Sequence, residues 1–145
     1  MLMCTTKARQ RDTNYCWPDI VITRNGEVRA VIEIEQTGIS SPNKLSGKVL
    51  STLLSNHLYS DEIGTEPAPC ITGSVTFVQI VNTAQCPAAS QKLLQYANLE
   101  ASIRSILPLG CVHRYFLVPV SAGVAPPYDM AKYHSVFDAI EEALL

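Results

Sequence analysis

The sequence predicts an α/β fold, a mixed four-stranded sheet flanked by helices. Four apolar segments of strand length, rich in Val and Ile, are separated by turn or loop signals. Segments with helical spacing of apolar residues follow the second, third and fourth of them. The order β-β-α-β-α-β-α with apolar strands is typical of a sheet covered by helices. The 145 residues are expected to form a single domain.

The first elements follow from turn and capping residues. Residues 1–17 are expected to be irregular, and strands at about 18–23 and 28–36 are joined at Asn-Gly, a strong hairpin signal. A helix begins after the second strand, because Ser41 is a favourable N-cap and Pro42 suits the first helical position. The hairpin and this helix together span residues 18–58. The apolar stripe of the helix comprises Leu45, Val49, Leu53 and Leu54.

The later elements alternate between strands and helices. In chain order they are a loop at 60–73, a strand at 74–81, a helix at 90–107, a strand at 112–120 and a helix at about 130–144. The helix at 90–107 stops before Pro108. Pro119 indicates that the far end of the last strand lies at a sheet edge or outside the ladder.

Composition narrows the class of protein. Hydrophobic residues make up 47% and charged residues 17%, which favours a compact globular domain over a disordered chain. No apolar run has the roughly 18 residues of a membrane span, and the N-terminal segment lacks the apolar core of a secretory signal, so a cytoplasmic location is expected. The five cysteines form no CxxC pair, which disfavours a zinc site. The net charge of -2 does not by itself indicate nucleic-acid binding, although residues 1–48 carry seven Lys or Arg against five Asp or Glu.

The length of the Asn-Gly connection decides where the acids of the hairpin point. A two-residue turn mixes acids and aliphatic residues on both faces and separates Asp19 from Glu33 and Glu35. A three-residue loop pairs Thr23 with Glu27 and gives one wholly apolar face, whereas the three acids share the other face with Val21 and Val31. The apolar face comprises Ile20, Ile22, Val28, Ala30, Ile32 and Ile34. Since the hydrophobic pattern selects the register, we expect the three-residue loop.

In that register Asp19 lies opposite Val31 and diagonal to Glu33, so the three acids converge. Solvated acids on the wet face of an antiparallel hairpin are the ordinary alternative. Like charges gathered at one place repel, however, and a divalent cation would convert the repulsion into binding. Carboxylates, a backbone carbonyl and waters are ligands that Mg²⁺ accepts.

The dipeptide PD, a short hairpin and then EIE before a helix resemble the motif of the PD-(D/E)XK nuclease superfamily, which has the restriction-endonuclease-like fold. The resemblance covers about residues 18–82. It implies that Asp19 and Glu33 bind Mg²⁺, with Mn²⁺ as a substitute, and that the carbonyl of Ile34 also faces the metal.

The third motif position, usually Lys, is Glu35 in this chain, as it is Glu in some nucleases of the superfamily. Glu35 would act as the general base or as the ligand of a second metal. Alternatively, the following helix supplies the lysine. Lys44 and Lys48 share one face of that helix, and Lys48 is the candidate; a solvated surface lysine is the ordinary alternative for it.

The resemblance implies a Mg²⁺-dependent phosphodiesterase, an endonuclease or exonuclease acting on nucleic acid and on DNA in particular. Arg24, Arg29 and Lys44 are the expected phosphate contacts. Cutting both strands of a duplex would favour a homodimer. The alternative is a catalytically inactive interaction or assembly module of the same fold. A carboxylate-pair hydrolase of sugars is a third hypothesis, but it lacks the aromatic platform expected of such enzymes.

Overall fold

The computed structural model describes residues 2–3, 14–35, 41–59, 71–86 and 91–120, together with residues 134, 137–138, 140–142 and 144–145. Its elements are β1 (Leu2–Met3), β2 (Asn14–Cys16), β3 (Ile20–Arg24), β4 (Glu27–Glu35), α1 (Pro42–Leu53), β5 (His57–Leu58), β6 (Val75–Asn82), α2 (Gln91–Ile106) and β7 (Val112–Val120). The described residues of the C-terminal helix predicted at about 130–144 are all helical. Most of the predicted 60–73 loop lies outside the described residues. No helix in the described part is long and apolar enough to span a membrane.

A four-stranded mixed sheet forms the centre of the fold, in the order β3-β4-β6-β7. β3 and β4 pair antiparallel, whereas β4 pairs parallel with β6 and β6 pairs parallel with β7. The predicted α/β class and mixed four-stranded sheet are therefore confirmed. Pro119 lies in β7, an edge strand, where a residue without an N–H is tolerated.

α1 and α2 connect the three parallel strands and cover the same face of the sheet. Leu45 and Val49 of α1 and Tyr96 and Ile103 of α2 are buried in one core with sheet residues. Two successive crossovers in the same direction place their helices on one side when both have the usual hand. The sheet residues of this core include Val28, Val31, Val75, Phe77, Val81, Val112, Tyr115 and Leu117.

The opposite face of the sheet carries a smaller apolar cluster. Ile32, Val78 and Val118 are buried there, and Ile140 of the C-terminal helical segment packs against them. Ile20, at the edge strand, is 45% exposed. The aliphatic face predicted for the hairpin is thus the thinly covered side, and the face that carries the glutamates lies under α1.

A second, small sheet was not predicted. It has the order β2-β1-β5, with antiparallel pairs throughout. The expectation that residues 1–17 are irregular is wrong for β1 and β2. These strands have two and three residues, and such short segments pair only because the tertiary fold brings their partners alongside.

The β3–β4 hairpin has a two-residue turn, so the predicted three-residue loop is wrong. Arg24 pairs with Glu27 across Asn25 and Gly26. The positive φ angles of Asn25 (53°) and Gly26 (77°) suit a type I′ turn, whose twist matches that of the strands.

A β-bulge beside the turn restores the predicted separation of faces. Thr23 lies opposite Val28, but Ile22 lies opposite Ala30, so Arg29 is the extra residue on β4. The extra residue changes the register by one and thereby exchanges the faces of everything beyond it. Val21 consequently lies opposite Val31, on the face of Glu33 and Glu35, as the three-residue loop would also have placed it. Val28, on the turn side of the bulge, lies instead in the core under α1, so its predicted place on the aliphatic face is wrong.

The outer edge of β7 is bonded to side chains of α2. The N–H of Leu117 donates to Glu100 Oε1 at 3.1 Å, and the carbonyl of Tyr115 accepts from Arg104 Nε at 2.8 Å. The N–H of Leu117 and the carbonyl of Tyr115 point away from β6, towards the outer edge of the sheet. Arg104 also lies over the Phe116 ring, 4.9 Å from its centroid. α2 therefore satisfies two backbone groups that an edge strand would otherwise leave open.

Candidate active site

Glu33 and Glu35 are buried near the end of β4, on the face covered by α1. Only 1% of Glu33 and 3% of Glu35 is exposed. Parallel pairing places Glu33 beside Gln79 and Glu35 beside Val81 of β6. Since β4 and β6 run parallel, the glutamates lie towards the carboxyl ends of these strands, the edge at which open α/β sheets commonly bind ligands.

Two lysines of α1 neutralise these glutamates. Lys48 Nζ donates to Glu33 Oε2 and lies 2.7 Å from Glu35 Oε1. Lys44 Nζ lies 2.5 Å from Glu35 Oε2. The Lys48 side chain is 30% exposed and that of Lys44 is 51% exposed, so Lys48 lies deeper in the cluster. We call these four residues the lysine–glutamate cluster.

The start of α1 places both lysines over β4. Ser41 is the N-cap, as predicted, and its side chain accepts from the N–H of Lys44 at 3.3 Å. Pro42 occupies the first turn. Lys44 and Lys48 are four residues apart and therefore share a face, and the buried Leu45 beside them directs that side of the helix towards the sheet.

Asp19 lies at the start of β3, next to the cluster. Its Oδ2 accepts from the N–H of Ile34 at 2.6 Å, across the end of the β3–β4 pair. The predicted partner Val31 pairs with Val21 instead, so Asp19 lies nearer to Glu33 than the sequence indicated. The charge of Asp19 helps to raise the pKa of Glu33. The structure thus brings Asp19, Ile34 and Glu33 together.

The two glutamates have opposite pKa shifts. Burial raises the pKa of Glu33, and the bond from Lys48 only partly opposes it. Burial also acts to raise the pKa of Glu35, but the bonds and charges of Lys44 and Lys48 outweigh it, and this pKa is lowered. Burial would lower the pKa of Lys48, yet its bonds to Glu33 and Glu35 raise it, so Lys48 stays protonated.

These shifts predict opposite effects of two isosteric substitutions. The folded pKa of Glu33 is raised, so its contribution to stability is complete at acid pH and declines as pH rises through that value. The folded pKa of Glu35 is lowered, so its contribution exists at neutral pH and is lost on acidification. At neutral pH we expect Glu33→Gln to raise the free energy of unfolding and Glu35→Gln to lower it.

Urea unfolding of the wild type and the two variants, at a series from about pH 4 to about pH 8, measures this difference. The gap between the variants should shrink towards acid pH, as the carboxyls become protonated. Equal destabilisation by both substitutions at neutral pH would contradict the prediction.

The predicted phosphate contacts divide between the two ends of the hairpin. Lys44 is in the cluster, whereas Arg29 Nη2 bonds Glu27 Oε2 at 2.6 Å. Arg29 is four residues from Glu33, about 13 Å along the strand, and Arg24 lies beyond it at the turn. The structure therefore does not bring Arg24 and Arg29 to the cluster.

The oxygen atoms around Asp19 suit a hard cation. The N–H and C=O of a strand residue point the same way, so the carbonyl of Ile34 faces the side on which Asp19 accepts its N–H. The carboxylates of Asp19 and Glu33 with this carbonyl would supply three oxygens, and Mg²⁺ usually keeps several waters besides. Within the described ranges no group of three or more His, Cys, Asp or Glu side chains could hold a metal, so a site here needs the backbone oxygen.

Gln79 is a polar residue near the cluster that the sequence patterns did not indicate as functional. It is fully buried beside Glu33 in the sheet. A single amide within the apolar run SVTFVQIV was an available signal, because a buried amide must be hydrogen-bonded. Its partners, however, lie on α1 and β7, and sequence spacing did not indicate them.

No protein-family model, curated protein or solved structure matches this chain.

Proposed function

We propose that this protein is a Mg²⁺-dependent phosphodiesterase that acts on nucleic acid, built on a restriction-endonuclease-like core. One observation carries the proposal. Lys48, delivered by α1, contacts both Glu33 and Glu35, with Asp19 alongside. A carboxylate pair, a strand carbonyl and a lysine are the groups that the motif would assemble, and here the lysine comes from the helix because Glu35 occupies its usual position.

Asp19, Glu33 and the carbonyl of Ile34 would hold the ion. When bound, Mg²⁺ would polarise a phosphoryl oxygen and make a bound water more acidic. Lys48 remains protonated and would stabilise the negative charge that develops on the phosphate and orient the attacking water. Glu35 would hold Lys44 and Lys48 in place, because its carboxylate bonds both ammonium groups. A lowered pKa makes Glu35 a weak base, which favours this holding role over proton abstraction.

Lys44 is the best placed of the expected phosphate contacts, since it borders the cluster and is half exposed. Arg24 and Arg29 would contact a phosphate further along a bound strand. We propose DNA as the substrate and a homodimer as the form that cuts duplex DNA. A cytoplasmic location fits the free thiols of Cys16, Cys86 and Cys111, since reduced cysteines are usual in that compartment.

A second function, the catalytically inactive assembly module, is favoured by a specific feature. The charges of Glu33 and Glu35 are balanced by those of Lys44 and Lys48, so the cluster does not require a metal ion for charge balance. A closed cluster of this kind would serve as a structural clamp between α1 and the sheet. The two functions differ in whether a divalent cation binds beside Asp19.

Asp19→Asn tests the proposal with little disturbance of the fold, because the amide oxygen can still accept from Ile34 and the residue is exposed. We expect it to weaken Mn²⁺ binding by more than about tenfold and to abolish cleavage of labelled oligonucleotides. Isothermal titration with Mn²⁺ and a cleavage assay on single-stranded and duplex DNA and RNA are the measurements. Glu27→Gln is the matched control, an acid of the same hairpin at its other end, and it should retain both properties.

If the wild type binds no Mn²⁺, or if Asp19→Asn binds it as well as the wild type does, the phosphodiesterase proposal fails. The structural clamp would then be the function that the cluster supports.

A further inference from the structure

Gln79 connects the central strand β6 to the helix that carries the lysines. Its side chain is fully buried on the face under α1. Its Nε2 donates to the carbonyl of Leu45 at 3.1 Å, and its Oε1 accepts from the hydroxyl of Tyr115 on β7 at 2.6 Å. A single amide thus joins β6, β7 and α1.

The partners determine which way the amide is turned. A backbone carbonyl only accepts, so the NH₂ group of Gln79 must face Leu45. The oxygen of the amide then faces Tyr115, whose hydroxyl is the donor. Burial raises the pKa of Tyr115, so the hydroxyl keeps its proton at every physiological pH. The hydrogen bonds therefore run in one direction, from the Tyr115 hydroxyl to Gln79 and from Gln79 to the carbonyl of Leu45, and they fix the orientation of the amide.

The bond to Leu45 is additional to the bonds that hold the helix together. Leu45 lies inside α1, where its carbonyl is in position to accept from the amide four residues later. The helix therefore does not need Gln79 to satisfy this carbonyl. An apolar side chain would fill the same space without the cost of burying an amide. The bond therefore serves to place α1 over the sheet rather than to satisfy the carbonyl of Leu45.

Leu45 lies between the two lysines on the helix. It follows Lys44 directly and precedes Lys48 by three positions, within a single turn. Gln79 is also the β6 neighbour of Glu33 in the parallel register. The amide therefore fixes the turn that carries the lysines relative to the strand residue beside their partner.

We propose that Gln79 is a positioning residue that sets the contact between Lys48 and the two glutamates by anchoring the first part of α1 to the sheet. Tyr115 assists by orienting the amide. The effect on cleavage rests on the proposed function, whereas the effect on Lys48 does not.

Gln79→Met tests the inference, because methionine has a similar volume and cannot make either bond. The first readout is the ¹H–¹⁵N NMR signal of the Lys48 ammonium group, identified by its disappearance in Lys48→Arg. In the wild type, carboxylates on two sides should protect this group from exchange with water. We expect the signal to be lost or broadened in Gln79→Met.

The second readout is the cleavage of DNA. Misplacing a group that acts on the reacting phosphate affects the chemical step, so we expect kcat to fall by about 10- to 100-fold with KM nearly unchanged. Val78→Ala is the control for a general loss of core packing, since Val78 is the adjacent residue of β6, equally buried but on the opposite face. It should retain the ammonium signal and the kcat of the wild type.

Tyr115→Phe is the second variant, and it carries the test if Gln79→Met does not fold. It removes one hydroxyl from the chain and should shift the ammonium signal in the same direction by a smaller amount. If the Lys48 ammonium signal of the tested variant is the same as that of Val78→Ala, the inference is overturned. If the signal is lost but even the wild type cleaves no nucleic acid, the positioning role stands and the proposed function fails.

Discussion

Lys48→Met is expected to abolish cleavage and to destabilise the protein by about 3 kcal/mol. Lys48 is the only cation described in contact with Glu33, which is 1% exposed, and it also contacts Glu35. Removing one partner of a buried ion pair leaves a charge that neither water nor protein stabilises. Methionine keeps most of the aliphatic length, so the loss reports on the ammonium group. We place the cost at the lower end of the range for buried pairs because Lys48 is 30% exposed.

Urea unfolding measures the stability change, and the oligonucleotide assay measures the loss of activity, which should exceed about 100-fold. Lys44→Met is the matched control on the same helix face. Lys44 contacts Glu35 only and is more exposed, so its loss should cost about 1 kcal/mol or less.

Adding Glu33→Gln to Lys48→Met separates stability from activity. The double variant removes the unpaired carboxylate and should regain most of the lost stability, but no activity. If Lys48→Met is as stable as the wild type, the lysine is solvated and does not pair with Glu33 and Glu35. A solvated lysine is the ordinary alternative for a helix surface.

Gly110→Ala is expected to lower the free energy of unfolding by about 3 kcal/mol. Gly110 has a φ angle of 55°, in the left-handed region that a side chain disfavours. A Cβ atom there would overlap the carbonyl oxygen of Leu53, a backbone atom at the last residue of α1. Neither atom belongs to a flexible side chain, so the loop or the helix end must move.

Gly47→Ala is the control, and it should have the opposite sign. Gly47 lies inside α1, and a Cβ atom there would meet nothing within 4 Å. Replacing an unconstrained helical glycine with alanine is expected to stabilise the protein by about 0.5–1 kcal/mol. Thermal and urea unfolding of both variants give the comparison. Similar stabilities for the two would mean that the approach of Gly110 to α1 does not constrain the fold.

Hydrophobic pattern predicted the sheet and the two crossover helices because each long element buries a face of its own. The same pattern could not predict the length of the hairpin turn. A two-residue turn with a bulge at Arg29 and a three-residue loop give the same separation of faces from Ala30 onwards, and the pattern reports only that separation. Residue type at Asn25-Gly26 favours a short turn, whereas the bulge depends on how β4 continues into the sheet.

The candidate site was predictable to the extent that it lies within one hairpin. Asp19, Glu33 and Ile34 come together through local strand pairing, which sequence patterns can specify. The contact of Lys48 with Glu33 depends on where α1 lies over the sheet. That position is set by packing and by Gln79, a residue 31 positions after Lys48 in the chain. Long-range contacts of this kind are not encoded in any local spacing.

The bonds from α2 to β7 have a consequence for how the protein behaves among its own copies. A strand from another molecule that extended the sheet at this edge would have to bond the N–H of Leu117 and the carbonyl of Tyr115. Both groups are already hydrogen-bonded, to Glu100 and Arg104 respectively. The incoming strand would first have to displace a charged pair, with a 3.3 Å contact between Arg104 and Glu100, and then leave those charges beside its own backbone. The part of the β7 edge around Tyr115 and Leu117 is therefore protected against the strand addition that leads to fibril-like growth.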